Sequence, residues 1–195
     1  MTTEQAWAAA LEDAHRTLTT FMNDPEQKKN CAKFSELLTQ TFKKGGKLFV
    51  CGNGGSHCDS MQFATEFTAR FRKDRVPLGA LALGDPSHLT CVSNDFGFEE
   101  VFSRQVRGLV RTGDIVVGIS TSGNSENVIR AINAAKEIGA STGALLGKDG
   151  GKLKSMVDVA IVVAAKTPDR IQEMHVKLIH TLVETVERQL FPEHY

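Results

Sequence analysis

Cysteine is scarce and scattered in this sequence. Four occur in 195 residues, Cys31, Cys51, Cys58 and Cys91, and no two form a CxxC. That spacing excludes a zinc ribbon. A chain this long has no need of a disulfide framework. An excess of charge of one sign is missing too, with 23 Lys+Arg against 23 Asp+Glu. Nucleic-acid binders and membrane-surface proteins usually carry a basic surplus, so neither nucleic acid nor membrane is expected as a partner. Zero net charge also offers little electrostatic resistance to self-association. No apolar run approaches the length of about 18 residues that marks a transmembrane helix. The opening MTTEQAWAAALEDAHR is polar and acidic, which is not the pattern of a secretory signal. Together these absences predict a reduced, cytoplasmic protein.

What is present fits one α/β domain. Hydrophobic residues are 41% and charged residues 24%, enough to bury a core and to exclude wholesale disorder. Trp7, Ala10, Leu11, Ala14, Leu18 and Phe21 recur at helical steps. Asp24-Pro25 then reads as a helix cap and first turn. Phe34, Leu37, Leu38 and Phe42 carry a second helix to Gly45-Gly46. Residues 1–45 therefore read as a helical extension, packed on the domain or on another copy, and 46–195 as the domain proper.

From Lys47 the pattern changes. Five apolar runs, 47–51, 78–83, 114–119, 141–146 and 157–163, lack strand-like alternation and punctuate helical stretches. Helices are expected from the first glycine loop to about Arg72, from Ser125 to Ile138 and from Pro168 to Leu190. Runs of this kind suit strands buried on both faces, and their alternation with helices predicts a three-layer α/β fold on a parallel five-stranded sheet.

Ligands in such sheets bind at the carboxyl ends of strands. Two loops there have unusual composition. Cys51-Gly-Asn-Gly-Gly-Ser56 allows close backbone approach and opens a helix whose amides favour an anion. Ser120-Thr-Ser-Gly-Asn-Ser125 places four hydroxyls in six residues. It reads either as a cradle for a phosphate monoester or as a plain N-cap in which Ser125 or Asn124 caps the next helix. Other phosphate motifs fit worse. Gly143-Ala-Leu-Leu-Gly147-Lys148 is one residue short of a Walker loop, and His57 stands where a dinucleotide fingerprint needs glycine. Asp85 alone keeps open a ribose contact and a nucleotide-dependent enzyme.

Asp59, Gln62 and Glu66 share one face of the helix after the first loop. That face is either solvated or the wall of a pocket. The final helix is apolar over more than half its circumference, which suggests burial against both the domain and a partner. His175 falls inside that arc as a core histidine, and His180 at its polar border, where a ligand role is more natural.

CGNGGSHCDSMQFATEF (51–67), VSNDFGFEEVFSRQV (92–106), GDIVVGISTSGNSENVI (113–129), GKDGGK (147–152) and DRIQEMHVKLIH (169–180) resemble the phosphoheptose isomerases of the sugar-isomerase-domain superfamily. The resemblance spans essentially the whole chain. It implies a flavodoxin-like sheet, a homotetramer, and interconversion of sedoheptulose 7-phosphate and D-glycero-D-manno-heptose 7-phosphate at the entry to lipopolysaccharide heptose, with no nucleotide cofactor. By family position the phosphate would sit on Ser120, Thr121, Ser122 and Ser125. The sugar would meet Asn53, Gly54, Gly55, Ser56, Asn94, Asp95, Asp169 and Gln172, and Glu66 and His180 would be the acid–base pair. Zinc-binding members use a His one turn before the Glu, then that Glu, the later Gln and the later His. Here Gln62 stands at the His position, leaving Glu66, Gln172 and His180, so weak or substoichiometric zinc is expected. Non-catalytic relatives, sugar-phosphate sensors and replication-initiator-binding regulators, are the alternative class; Glu66 and His180 favour the enzyme.

Overall fold

The computed structural model describes residues 1–195. Five strands, β1 (Leu48–Gly52), β2 (Ala80–Ala82), β3 (Ile115–Ser120), β4 (Ser141–Gly147) and β5 (Val159–Val163), form one parallel sheet in the order β2-β1-β3-β4-β5. This is the doubly wound, flavodoxin-like order, whose direction of winding reverses between β1 and β3. The three-layer expectation is met.

Burial on both sides explains four of the apolar runs, while the edge strand β2 is only partly covered and leaves Leu81 exposed. Val50, Val117, Ile119 and Leu145 point to one cluster, and Phe49, Cys51, Val116 and Leu146 to the other. The first cluster is closed by α2 (Pro25–Lys43), α3 (Gly55–Thr68) and α7 (Pro168–Leu190), through Phe34, Leu38, Phe63, Phe67, Ile171 and Leu178 among others. The second is closed by α4 (Pro86–Phe96), α5 (Val101–Leu109) and α6 (Glu126–Ile138). The sequence reading assigned no element between Pro86 and the third strand. The structure fills that stretch with α4, a short 3-10 turn at Phe98–Glu100, and α5.

Asp24 caps α2 as expected, accepting from the amides of Glu26 and Gln27, with Pro25 in the first turn. α1 (Thr3–Asn23) buries no residue at all. One expectation needs correction. α3 stops at Thr68, four residues before Arg72, and its last carbonyls meet a side chain described below. The broad apolar arc of α7 is packed within the chain by α1, α2, α3 and the sheet. No helix is long and apolar enough to cross a membrane.

Candidate active site

The two loops singled out in the sequence leave the carboxyl ends of β1 and β3, on either side of the point where the winding reverses. In open α/β sheets this crevice is the place where ligands bind. A pair of side-chain amides closes its floor. Asn53 Nδ2 donates to Asn127 Oδ1 at 2.9 Å, and Asn127 Nδ2 donates back to Asn53 Oδ1 at 2.8 Å. Asn127 is buried, and its Oδ1 also accepts from the amide of Val128. Sequence reasoning missed Asn127. The signal was present, since an Asn inside the first turn of a helix competes with the backbone unless its side chain has a fixed partner.

The serine loop is organised from within. Ser120 Oγ lies 3.0 Å from Ser125 Oγ and 3.5 Å from Ser122 Oγ, and accepts from the amide of Gly123. Ser122 Oγ accepts from the amide of Asn124 at 3.1 Å. Ser125 occupies the N-cap position of α6 yet makes no capping bond; its hydroxyl turns to Ser120 instead. That removes the plain N-cap reading and leaves hydroxyls and free helix amides together, the donor set that suits an anion at a helix N-terminus. Thr121 and Ser122 are half-buried at the mouth.

The Gly147–Lys152 motif buttresses this loop. Leu153 donates its amide to the Gly123 carbonyl at 3.0 Å, and Lys152 donates its amide to Asn124 Oδ1 at 3.1 Å. Gly123 has φ +65, and a Cβ there would stand 2.0 Å from the Gly150 carbonyl oxygen. Only glycine admits so close an approach.

The glycine loop is fitted to α7 in the same way. A Cβ on Gly55 would meet the Gln172 amide at 2.6–2.8 Å, so the missing side chain makes room for Gln172. Gly54 sits at the N-cap of α3 and Ser56 is buried in its first turn. Cys51, at the end of β1, is fully buried, and burial pushes its thiol up to about 12; it is no nucleophile at neutral pH.

At the other end of α3, Glu66 Oε1 stands 3.7 Å from His180 Nε2. Glu66 is largely covered and His180 half-exposed. The Phe71 ring lies 5.9 Å from that of His180, and Gln62 Nε2 donates to the same Glu66 oxygen. The pair therefore forms within one chain. Gln172 lies on Gly55, and His180 beside Glu66.

A zinc ion does not fit this arrangement. No three His, Cys, Asp or Glu side chains converge anywhere in the chain. One carboxylate and one imidazole are accompanied by amides, and the Gln62 amide spends its N–H on the carboxylate oxygen a metal would use.

Of the remaining site residues, Asn94 and Asp95 are exposed on the last turn of α4, with Asn94 Nδ2 donating to Asp95 Oδ1 at 2.7 Å. Asp169 is exposed in the first turn of α7, where a hydrogen bond from Thr167 holds its carboxyl below the usual range. Asp85 accepts from the His88 amide as the N-cap of α4, a use that accounts for it without a ribose. His175 is fully buried with Nε2 3.1 Å from the Leu146 carbonyl, the core histidine expected.

Residues 11–147 match the family model of the SIS domain. The chain is 51% identical over 175 residues to a phosphoheptose isomerase of Fusobacterium nucleatum, covering 90% of each sequence. Among solved structures, a phosphoheptose isomerase from Neisseria gonorrhoeae superposes with TM-score 0.89 at 40% identity, over 95% of this chain and 99% of that one. Another, from Francisella tularensis, gives TM-score 0.91 at 31% identity over 96% and 100%. With the fold, the crevice and these relatives in agreement, the chain belongs to the SIS-domain family and, within it, to the phosphoheptose isomerases.

Proposed function

We propose that the protein converts sedoheptulose 7-phosphate to D-glycero-D-manno-heptose 7-phosphate, with Glu66 and His180 as the acid–base pair. The observation that carries this reading is the 3.7 Å approach of Glu66 to His180 at the far end of α3 from the two loops. α3 leads from the glycine loop to Glu66, so the sugar lies along it between the serine loop and the acid–base pair. Ser120, Thr121, Ser122 and Ser125 receive the phosphate, and Asn53, Gly54, Gly55, Ser56, Gln172, Asn94, Asp95 and Asp169 are the further sugar contacts.

The chemistry needs no cofactor. In the ketose-to-aldose direction Glu66 takes a proton from C1 while His180 gives one to the C2 oxygen. The C1–H electron pair becomes the C1=C2 bond of a cis-enediol. His180 then takes the O1 proton, the C1=O bond forms, and Glu66 returns its proton to C2. Every proton removed is replaced, and no electron leaves the sugar. Positioned acid–base groups of this kind contribute about 10²–10⁴-fold.

A homotetramer in the cytoplasm, at the entry to lipopolysaccharide heptose, accompanies this reading. It is supported by the family and by α1, whose Trp7 and Leu11 are 69% and 53% exposed. The deciding experiment incubates the pure protein with sedoheptulose 7-phosphate in deuterium oxide. An aldoheptose phosphate is expected, with deuterium at C2 to the extent that the proton on Glu66 exchanges with solvent before its return; an unchanged ketose without exchange at C1 would refute the assignment.

A further inference from the structure

The chain leaving α3 is fastened along α7 at three successive places. Phe71 packs 5.9 Å from the His180 ring. Arg72 donates to Glu184 at 2.6 Å. Arg75 Nε donates to Glu187 Oε1 at 2.7 Å, and both of those side chains are only 1% exposed. Residues 180, 184 and 187 share one face of α7, so the fastening runs along the helix that carries His180.

Arg75 also ends α3. Its Nη2 donates to the Glu66 carbonyl at 2.8 Å, and its Nη1 to the carbonyls of Phe67 at 2.7 Å and Ala69 at 3.0 Å. The last carbonyls of a helix have no helical partner, and here one guanidinium takes those of Glu66 and Phe67, the latter shared with the Leu78 amide. Glu187 is equally occupied, because its Oε2 accepts from the Tyr195 hydroxyl at 2.9 Å. Every group in this cluster is hydrogen-bonded, as a buried charge pair requires.

A buried ion pair is a weak source of net stability, since desolvation offsets most of the attraction. What a rigid, fully bonded guanidinium supplies is geometry. It grips the backbone of residue 66 itself and the helix that bears His180. We propose that Arg75 is a positioning residue for the acid–base pair. Through the Glu66 carbonyl and Glu187 it sets how Glu66 stands against His180, while Phe71 backs the imidazole. This inference rests on the acid–base reading of those two residues.

The test is Arg75→Lys. An ammonium keeps the charge but lacks the planar fork needed to span Glu187 and three carbonyls. Misplacement of a catalytic group by about 1 Å can cost about 10²-fold, so kcat should fall about ten- to a hundredfold. KM should stay within about threefold, because the phosphate and glycine loops lie at the other end of α3. In the Glu66→Gln background, with residual turnover followed over hours, the same change should cost nothing more. A role in stability alone would give losses that add in the double variant, and that result, or an unchanged kcat in folded Arg75→Lys, overturns the inference. If Arg75→Lys does not fold, Tyr195→Phe decides, since it removes one hydrogen bond from Glu187 at a 39% exposed residue. A kcat loss of about threefold or more at constant KM then supports the role, and an unchanged kcat overturns it. Near-normal turnover in Glu66→Gln fails the acid–base reading and takes this inference with it. An inactive Glu66→Gln beside a normal Arg75→Lys fails the inference alone.

Discussion

Asn53 and Asn127 exchange two amide hydrogen bonds, 2.9 and 2.8 Å long, across the crevice between β1 and β3. One comes from the glycine loop and the other from the first turn of α6, so the pair joins the glycine loop to the helix that follows the serine loop. Replacing Asn127 with Ala leaves both Asn53 groups unsatisfied in a part-buried place, at a cost of about 1–3 kcal/mol. The two loops then lose their common register. Asn127→Ala is expected to raise KM by about tenfold and to lower the thermal midpoint, with kcat less affected. Steady-state kinetics beside a melting curve check this, and an unchanged KM would show that the loops align without the pair.

The serine loop predicts a strict demand for phosphate. Ser122 Oγ and Ser120 Oγ lie 3.5 Å apart, and no cation is bonded to either. Hydrogen bonds to a charged group are worth about 1.5–3 kcal/mol. Ser122→Ala should weaken substrate binding by about one to two orders of magnitude. Unphosphorylated sedoheptulose should be a very poor substrate, and turnover of it at the rate of the phosphate ester would show that the loop does something else.

Much of this was legible in the sequence. The five apolar runs mark the five strands; four are covered on both faces, and only the edge strand β2 leaves Leu81 exposed. The two loops stand out because serine and glycine are dense at strand ends. The helices between Pro86 and Leu109 were not legible: α4 buries a single residue, Val92, so it lacks the apolar stripe that announces a helix. The end of α3 was also hidden, because Arg75 stops it from outside the helix through contacts that only the fold creates. Glu66 and His180 are 114 positions apart in the sequence. Helical spacing gives each its face, and only the packing of α3 on α7 brings them to 3.7 Å. The width of the apolar arc on α7 was read correctly, but periodicity carries no information on whether three helices of the same chain or a partner covers it.

Gln62 predicts how the site meets metal. Its amide already donates to Glu66, and an amide is a poorer zinc ligand than imidazole. Activity should survive dialysis against a chelator. Gln62→His adds a second imidazole one helical turn before Glu66, beside His180, and should bring zinc close to one per chain by elemental analysis. A full, chelator-resistant zinc complement in the unaltered protein would show that Gln62 turns its oxygen to the metal.

Asp59 and His175 predict opposite responses to pH. Asp59 is 6% exposed, its Oδ2 has no hydrogen-bond partner, and burial pushes its carboxyl up to about 6. Between the ordinary carboxylate value and 6 the folded chain holds a proton that the unfolded chain releases. The favourable contribution of this group is therefore full at low pH and is lost as pH rises through 6. His175 is fully buried, and burial pushes its imidazole down to about 4. Here the unfolded chain takes the proton first, so stability falls as pH drops from about 6.5 towards 4. In the unaltered protein the two slopes partly cancel. Asp59→Asn removes one of them, since an amide resembles the protonated acid at every pH. The variant should be more stable than the parent near pH 8, by about 2 kcal/mol, or several degrees in melting temperature. That advantage should shrink through pH 6 and vanish near pH 4, while the variant itself loses stability more steeply on acidification. Melting curves of both proteins across this range check the sign. A difference that stays constant with pH would mean that Asp59 is neutral, or fully ionised and satisfied, throughout.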